Sequence, residues 1–189
     1  AFIGKKLGLL GKMAGRYIRH REFGTFTRSD AAVVISEDFV PLLTANGVAP
    51  DRIHVIENWA PLEEMPRRPR NNAWATENGL TDKFVFLYSG TLGLKHNPSL
   101  LSSLAERFRD RPEVRVVVVS QGLGRKWLEA EKTEKKLENL LLFDYVPFEQ
   151  LPDALASADV LVSILEPGAG ILSVPSKVLS YLCVGRPIL

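Results

Sequence analysis

Short, nearly unbroken apolar runs alternate along this chain with stretches in which apolar positions recur every three or four residues. Asp30-Ala-Ala-Val-Val-Ile35 reads as a buried strand, followed by Ser36 as the N-cap of a short helix with Glu37 and Asp38 in its first turn. Gly47 offers a left-handed stop, and Ile53-His-Val-Ile56 reads as a second strand, completing a β-α-β unit. From Ala60 to Lys83 the pattern lapses: Pro61, Pro66 and Pro69, with the basic run Arg67, Arg68, Arg70, predict a surface linker. The period then becomes regular. Strands at 84–88 and 114–119 bracket a helix capped by Asn97 with Pro98 at its first position, whose Leu100, Leu101, Leu104, Ala105 and Phe108 share one stripe. A polar helix over 125–138, a strand at 140–143, a helix over 149–156, a strand at 160–164 and a helix over 176–184 closed by Gly185 continue the series. Strands this apolar predict an α/β fold with a parallel sheet covered on both faces.

The opening segment departs from that series. Lys5, Lys6, Lys12, Arg16, Arg19 and Arg21 occur there without a carboxylate, among Phe2, Ile3, Leu7, Leu9, Leu10, Met13, Tyr17 and Ile18. Residues 1–21 therefore suit a basic amphipathic helix on an anionic membrane surface, or equally a solvated helix packed on another part of the protein. Glycines at 4, 8, 11 and 15 weaken such a helix by about 1 kcal/mol each relative to alanine. The net charge of +2 over 189 residues is too small to argue for a nucleic-acid partner. No apolar run approaches the roughly 20 residues of a spanning helix, and no signal-peptide cleavage pattern opens the chain. The single cysteine, Cys183, falls in an apolar helical pattern, which fits a small buried thiol in a reducing cytoplasm. A first residue other than Met, and a last strand just starting at Ile188-Leu189, lead us to expect cuts at both ends.

Candidate chemistry gathers at the carboxyl ends of the strands, where parallel sheets bind ligands. After the 84–88 strand come Ser89-Gly90-Thr91-Leu92-Gly93-Leu94-Lys95-His96-Asn97. Glycines let backbone N–H groups approach an anion, and the helix start and Lys95 add positive charge; a plain tight turn fits equally well, with His96 a turn residue. Ser120-Gln121-Gly122-Leu123-Gly124 offers a backbone surface for a base or ribose, or an ordinary β-to-α turn. The most informative end is Glu166-Pro-Gly-Ala-Gly-Ile-Leu-Ser-Val-Pro-Ser-Lys177. Lys177 falls in a first helical turn, where the dipole disfavours a cation by a few tenths of a kcal/mol. An anionic ligand held by Ser176, Lys177 and the free N–H groups would compensate, and the Gly168-Ala169-Gly170 loop could close over it.

Four motifs in order, Val-Ile-Ser-Glu, Val-Ile-Glu-Asn, Ser-Gly-Thr-Leu-Gly-Leu-Lys-His-Asn-Pro and Val-Pro-Ser-Lys-Val-Leu-Ser-Tyr-Leu-Cys-Val-Gly-Arg-Pro, resemble a retaining glycosyltransferase of the GT-B fold, family 4. The likeness is to transferases of capsule, O-antigen and colanic acid assembly, and covers the chain from about Ser29 onward. It implies that 1–59 ends an N-terminal acceptor domain, 60–83 is a linker, and 84–189 is a truncated, Rossmann-like C-terminal domain for a nucleotide sugar. It further implies that Gly90, Thr91, Gly93 and Lys95 line the donor diphosphate and that Gln121 and Gly122 lie near the nucleoside. The backbone at Tyr145 and Val146 would hold the base, Ser176 and Lys177 would complete the diphosphate site, and Ser180 would face the ribose. Many relatives carry two glutamates at the positions of Leu172 and Ser180; neither is present here, and Glu166 lies too far upstream to replace them.

The implied activity is transfer of a hexose from a nucleoside diphosphate to a lipid-linked or polysaccharide acceptor, in the cytoplasm or at the inner membrane face, with the fragment alone inactive. Lys95, Lys177 and two helix N-termini would stabilise the leaving group. No metal or other cofactor is then expected, in keeping with the lack of an Asp-x-Asp motif or a Cys/His cluster. Two alternatives stand. A sugar-nucleotide 2-epimerase of the same fold would need a carboxylate and histidine constellation, and a non-catalytic nucleotide-sugar-binding domain would account for Leu172 and Ser180.

Overall fold

The computed structural model describes residues 8–93, 96–165 and 176–189. The chain divides into two compact units, Ala1–Asn58 and Trp59–Leu189.

In the first unit, helix α1 (Gly8–Arg28) leads to strand β1 (Ala32–Val34), helix α2 (Phe39–Ala45) and strand β2 (Ile53–Val55). The strands pair in parallel, with Ala32 opposite Ile53 and Val34 opposite Val55. Their core is Ala32, Val34, Leu43 and Val48, against which Phe23 and Phe26 of α1 pack. Helix α1 thus runs well past residue 21, and Arg52 secures its end by donating to the carbonyls of Thr27 (3.3 Å) and Ser29 (3.0 Å). Ser36 does not cap α2 as the sequence suggested. Its hydroxyl accepts from the N–H of Asp38 (3.2 Å) and donates to that carboxylate (3.1 Å), a local turn that postpones the helix to Phe39.

The second unit contains α3 (Ala73–Glu77), β3 (Phe84–Ser89), α4 (Ser99–Arg107), β4 (Val114–Val119), α5 (Leu123–Lys135), β5 (Leu140–Phe143), α6 (Leu151–Ala156), β6 (Val160–Leu161) and α7 (Ser176–Val184). Its sheet has the order β5-β4-β3-β6, all parallel, and a further bridge joins Leu161 to Ile188. Strand residues alternate between two cores: Val85, Leu87, Val117 and Val119 face one, while Tyr88, Val116 and Val118 face the other. Burial on both faces is why these strands read as continuous apolar runs. Strand β6 pairs as a strand over fewer residues than the 160–164 run suggested, although Val162 still donates to Leu87 (2.8 Å) and Ser163 to Leu189 (2.8 Å).

The segment expected to be a linker is packed instead. Met65, Trp74, Ala75 and Leu80 belong to the core of the second unit. Arg70 pairs with Asp159 (2.9 Å) and donates to the carbonyls of Leu80 (2.8 Å), Thr81 (3.2 Å) and Lys83, while Asp159 also accepts from the Val85 N–H (2.8 Å). A distant carboxylate thereby turns one arginine of a basic run into an internal tie. Helix α4 also starts later than expected. Asn97 adopts a positive φ of 47° and its side chain accepts from the Ser99 hydroxyl (2.5 Å) rather than from the helix backbone. Leu101 and Ala105 are buried, but Leu100 is 52% exposed, and Ser102 takes the inner position with its hydroxyl on Glu131 (3.1 Å). Helix α5 opens at Leu123 after Gly122, and α6 is preceded by a 3-10 turn, Phe148–Gln150.

Candidate functional site

Consecutive connections from β3 lead to β4 and β5 on one side, whereas β6 lies on the other. The strand order therefore reverses between β3 and β6, and a crevice for a ligand is expected at their carboxyl ends. Helix α7 brings Lys177 to this point. Its ammonium donates to the hydroxyl of Tyr88, the penultimate residue of β3 (2.6 Å), and lies 3.9 Å from the centre of that ring. Tyr88 in turn donates to the carbonyl of Thr91 (3.0 Å). Gly90 follows with a φ of +130°, and a Cβ there would sit 3.2 Å from the Lys177 ammonium, so both backbone and space call for glycine. The peptide is fixed from below: Gly90 donates to Val119 (3.0 Å) and accepts from the Ser120 hydroxyl (2.7 Å).

One turn along α7, Tyr181 fixes the helix to the strand end. Its buried hydroxyl accepts from the Ser89 N–H (2.8 Å) and lies 3.0 Å from the Ser89 carbonyl and 3.4 Å from that of Val162. The Lys177–Tyr181 spacing of four places both side chains on one helical face. Burial dominates the electrostatics here. It pulls the Lys177 ammonium down to about 8, pushes the Tyr88 phenol up to about 12 with help from nearby Tyr145, and raises Tyr181 strongly. Among the described residues Lys177 forms no ion pair. The arrangement leaves a half-buried ammonium beside a glycine turn and a helix start, which is suited to a phosphate.

Gly90 and Lys177 meet, and Thr91 joins them through Tyr88. Tyr145, 44% exposed, shares a hydrogen bond with the Thr91 hydroxyl (2.7 Å), linking the ends of β3 and β5. Val146 turns its side chain to the core. The Gly93 N–H is occupied by His96 Nδ1 (3.2 Å), and the His96 backbone N–H returns to the Gly93 carbonyl (2.9 Å), so His96 closes onto Gly93. Gln121 gives its carbonyl to the Leu92 N–H (3.2 Å), and Gly122, with φ +108°, opens α5. Ser176 is exposed at the start of α7 and Ser180 is half-buried one turn later. Lys95, Glu166 and Leu172 lie outside the described residues. Tyr88, Ser120 and Tyr181 were not singled out from sequence. Only the polar end of an apolar strand, and a tyrosine four residues after Lys177, hint at them.

A doubly wound parallel sheet with its switch point between a glycine turn and a helix start is the architecture of a nucleotide-binding α/β domain, and the structural likenesses below make it the GT-B type. Residues 71–171 match the family described as Glycosyl transferases group 1, and the chain belongs to that family. It is 28% identical over 187 residues, 95% of this chain, to the colanic acid biosynthesis glycosyl transferase WcaI, so named, of Escherichia coli strain K12. It is 26% identical over 186 residues to WbjE of Pseudomonas aeruginosa, named as a glycosyltransferase. The chain spans about half the length of these curated relatives, 46% in each case. Among solved structures, Anabaena HepE in complex with UDP and glucose superposes with a TM-score of 0.72 at 16% identity, covering 90% of this chain and 47% of that one. WaaG, a glycosyltransferase of lipopolysaccharide biosynthesis, superposes with a TM-score of 0.68 at 18% identity, covering 98% and 52%. Among the described residues no helix is long and apolar enough to cross a membrane.

Proposed function

We propose that this chain carries the donor side of a retaining, metal-independent hexosyltransferase, in which Lys177 and Lys95 stabilise the departing nucleoside diphosphate. The observation that carries the reading is the half-buried Lys177 ammonium held against Gly90 at the switch point. Breaking a sugar–diphosphate bond leaves negative charge on the β-phosphate. A fixed ammonium and a helix N-terminus favour that charge more as the bond lengthens, which is what lowers a barrier. Gly90, Thr91, Gly93 and Ser176 would surround the diphosphate, Gln121, Gly122 and Ser180 the nucleoside, and Tyr145 and Val146 the base. Relatives named for colanic acid and lipopolysaccharide work support a lipid-linked or polysaccharide acceptor. On α1, exposed Lys12, Arg16, Arg19 and Arg21 beside exposed Met13, Tyr17 and Ile18 support docking of a cytoplasmic protein on an anionic membrane face.

Ligand-observed NMR with a panel of UDP-, GDP- and dTDP-sugars tests the donor assignment. At least one should bind, and Lys177→Ala or Lys95→Ala should each weaken it by about 1.5 to 3 kcal/mol, the scale of a lost charge-assisted contact. Titrations unchanged in both variants would remove the proposed site.

A further inference from the structure

We infer that Tyr88 is a positioning residue of the donor site: its hydroxyl holds the Lys177 ammonium over the Gly90 turn, where a diphosphate oxygen would meet it. This rests on the donor reading above and adds to it the side chain that sets where, and in which charge state, the lysine stands.

The geometry makes the tyrosine's role specific. Tyr88 is 1% exposed, yet its hydroxyl has two defined partners: it accepts from Lys177 (2.6 Å) and donates to the Thr91 carbonyl (3.0 Å). A buried phenol needs one partner in any role, and the Thr91 carbonyl would satisfy it; the Lys177 ammonium is a second, which packing alone does not require. The donation to Thr91 directs the hydroxyl lone pairs away from that carbonyl, which leaves them available to the ammonium. The contact to the oxygen fixes the position, and the 3.9 Å approach to the ring adds a weaker cation–π attraction. The ammonium also abuts Gly90, where even a methyl group would approach to 3.2 Å. Lysine side chains have many rotamers, and pinning this one before the ligand arrives removes an ordering cost from binding.

The surrounding charges leave the role to Tyr88. Among the described residues, the groups near the ammonium are Tyr88 from β3 and Tyr181 from its own helix, both neutral phenols at ordinary pH, with the Tyr145 hydroxyl behind Thr91; Tyr181 is committed to Ser89. Among the described residues no carboxylate pairs with Lys177. Among the described residues the Tyr88 oxygen is therefore the acceptor for this ammonium, and accepting from it favours the charged form that burial disfavours. Without it the lysine would both wander and lose its proton more readily.

The test uses this chain and its Tyr88→Phe variant, which keeps the ring. Tyr88→Met serves as a second hydroxyl-free variant, and thermal melts verify that each is folded. The first readout is the protonation of Lys177 itself, followed by NMR on 13C-dimethylated lysines and assigned by the signal missing in Lys177→Met. We expect its midpoint to fall in both hydroxyl-free variants, which packing alone would not cause. The second is calorimetric titration with UDP, GDP and dTDP at pH 6.5 and 8.5. The variants should bind the preferred nucleotide roughly tenfold more weakly at the higher pH, with a smaller loss at the lower. An unchanged Lys177 midpoint together with unchanged affinity at both pH values would overturn the positioning role while leaving the donor site standing. Failure of the unsubstituted chain to bind any of the three would instead overturn the donor reading, and the positioning role with it.

Discussion

Lys177 stands in the first turn of α7, where the helix dipole opposes its charge, and it is half-buried as well. Two unfavourable terms on one side chain mark a residue kept for something other than stability. They also give a measurable consequence. In the unfolded chain the lysine keeps its proton to about 10.5, and in the folded chain to about 8, so across that window the unfolded state binds more protons and stability rises with pH. Tyr88 and Tyr181, whose folded values lie above their unfolded 10, oppose this only as the pH nears 10 and little at 9.5. Urea melts at pH 7.5 and 9.5 should show the ligand-free chain more stable at the higher pH, and Lys177→Met should flatten that difference. Nucleotide affinity should run the other way, being highest about a unit below pH 8 and falling as the pH rises through 8, because the diphosphate prefers the protonated lysine.

This lysine was readable in the sequence because Pro175, Ser176 and Gly185 frame a helix on local grounds, and the structure gives that helix as Ser176–Val184. Its partners were not. Tyr88 and Tyr181 acquire their roles only when β3 and α7 meet across some ninety residues, and no local pattern distinguishes a packed tyrosine from a bonded one.

Among the elements, β4 was the most legible, since Val116 to Val119 fill both cores and leave little alternative to a central strand. The segment before β3 was the least legible. Its prolines and arginines have the composition of a linker, but Arg70 finds Asp159 and three carbonyls, and Met65, Trp74 and Leu80 reach the core. Arg70→Ala should cost about 2 to 4 kcal/mol in urea denaturation, because it leaves a partly buried carboxylate without its partner. Arg68→Ala provides the contrast. Its contact with Asp153 is 3.8 Å and its side chain is 51% exposed, so the loss should stay under about 1 kcal/mol. Equal losses from the two would refute the tie assigned to Arg70.

Helix α1 carries the other element-level expectation. Its apolar residues point in several directions: Phe23 and Phe26 pack inward while Met13, Tyr17 and Ile18 are exposed among basic residues. Flotation with anionic vesicles should capture the chain, neutral vesicles should not, and salt should release it, since screening weakens surface charge attraction. Equal flotation with both vesicle types would count against a membrane role for α1.

At the scale of the whole molecule, the chain belongs to the Glycosyl transferases group 1 family and spans about half the length of its curated relatives, while its second unit holds the strand ends and the helix start at which nucleotides bind in such sheets. Family membership was legible because four short motifs occur in order, each placed at a strand end by the alternation of elements. The site's inner contacts were less so, because they depend on pairings such as that of Gly93 with His96, where a histidine takes the N–H that an anion was expected to use. Donor binding at the ends of β3 and α7 is read residue by residue in backbone amide NMR of the 15N-labelled chain during titration with UDP, GDP and dTDP. The bound nucleotide should shift the amides of Ser89, Gly90, Thr91, Ser176 and Lys177 together, with saturation lost in Lys177→Ala. Shifts absent from this group, or confined to other parts of the chain, would contradict it.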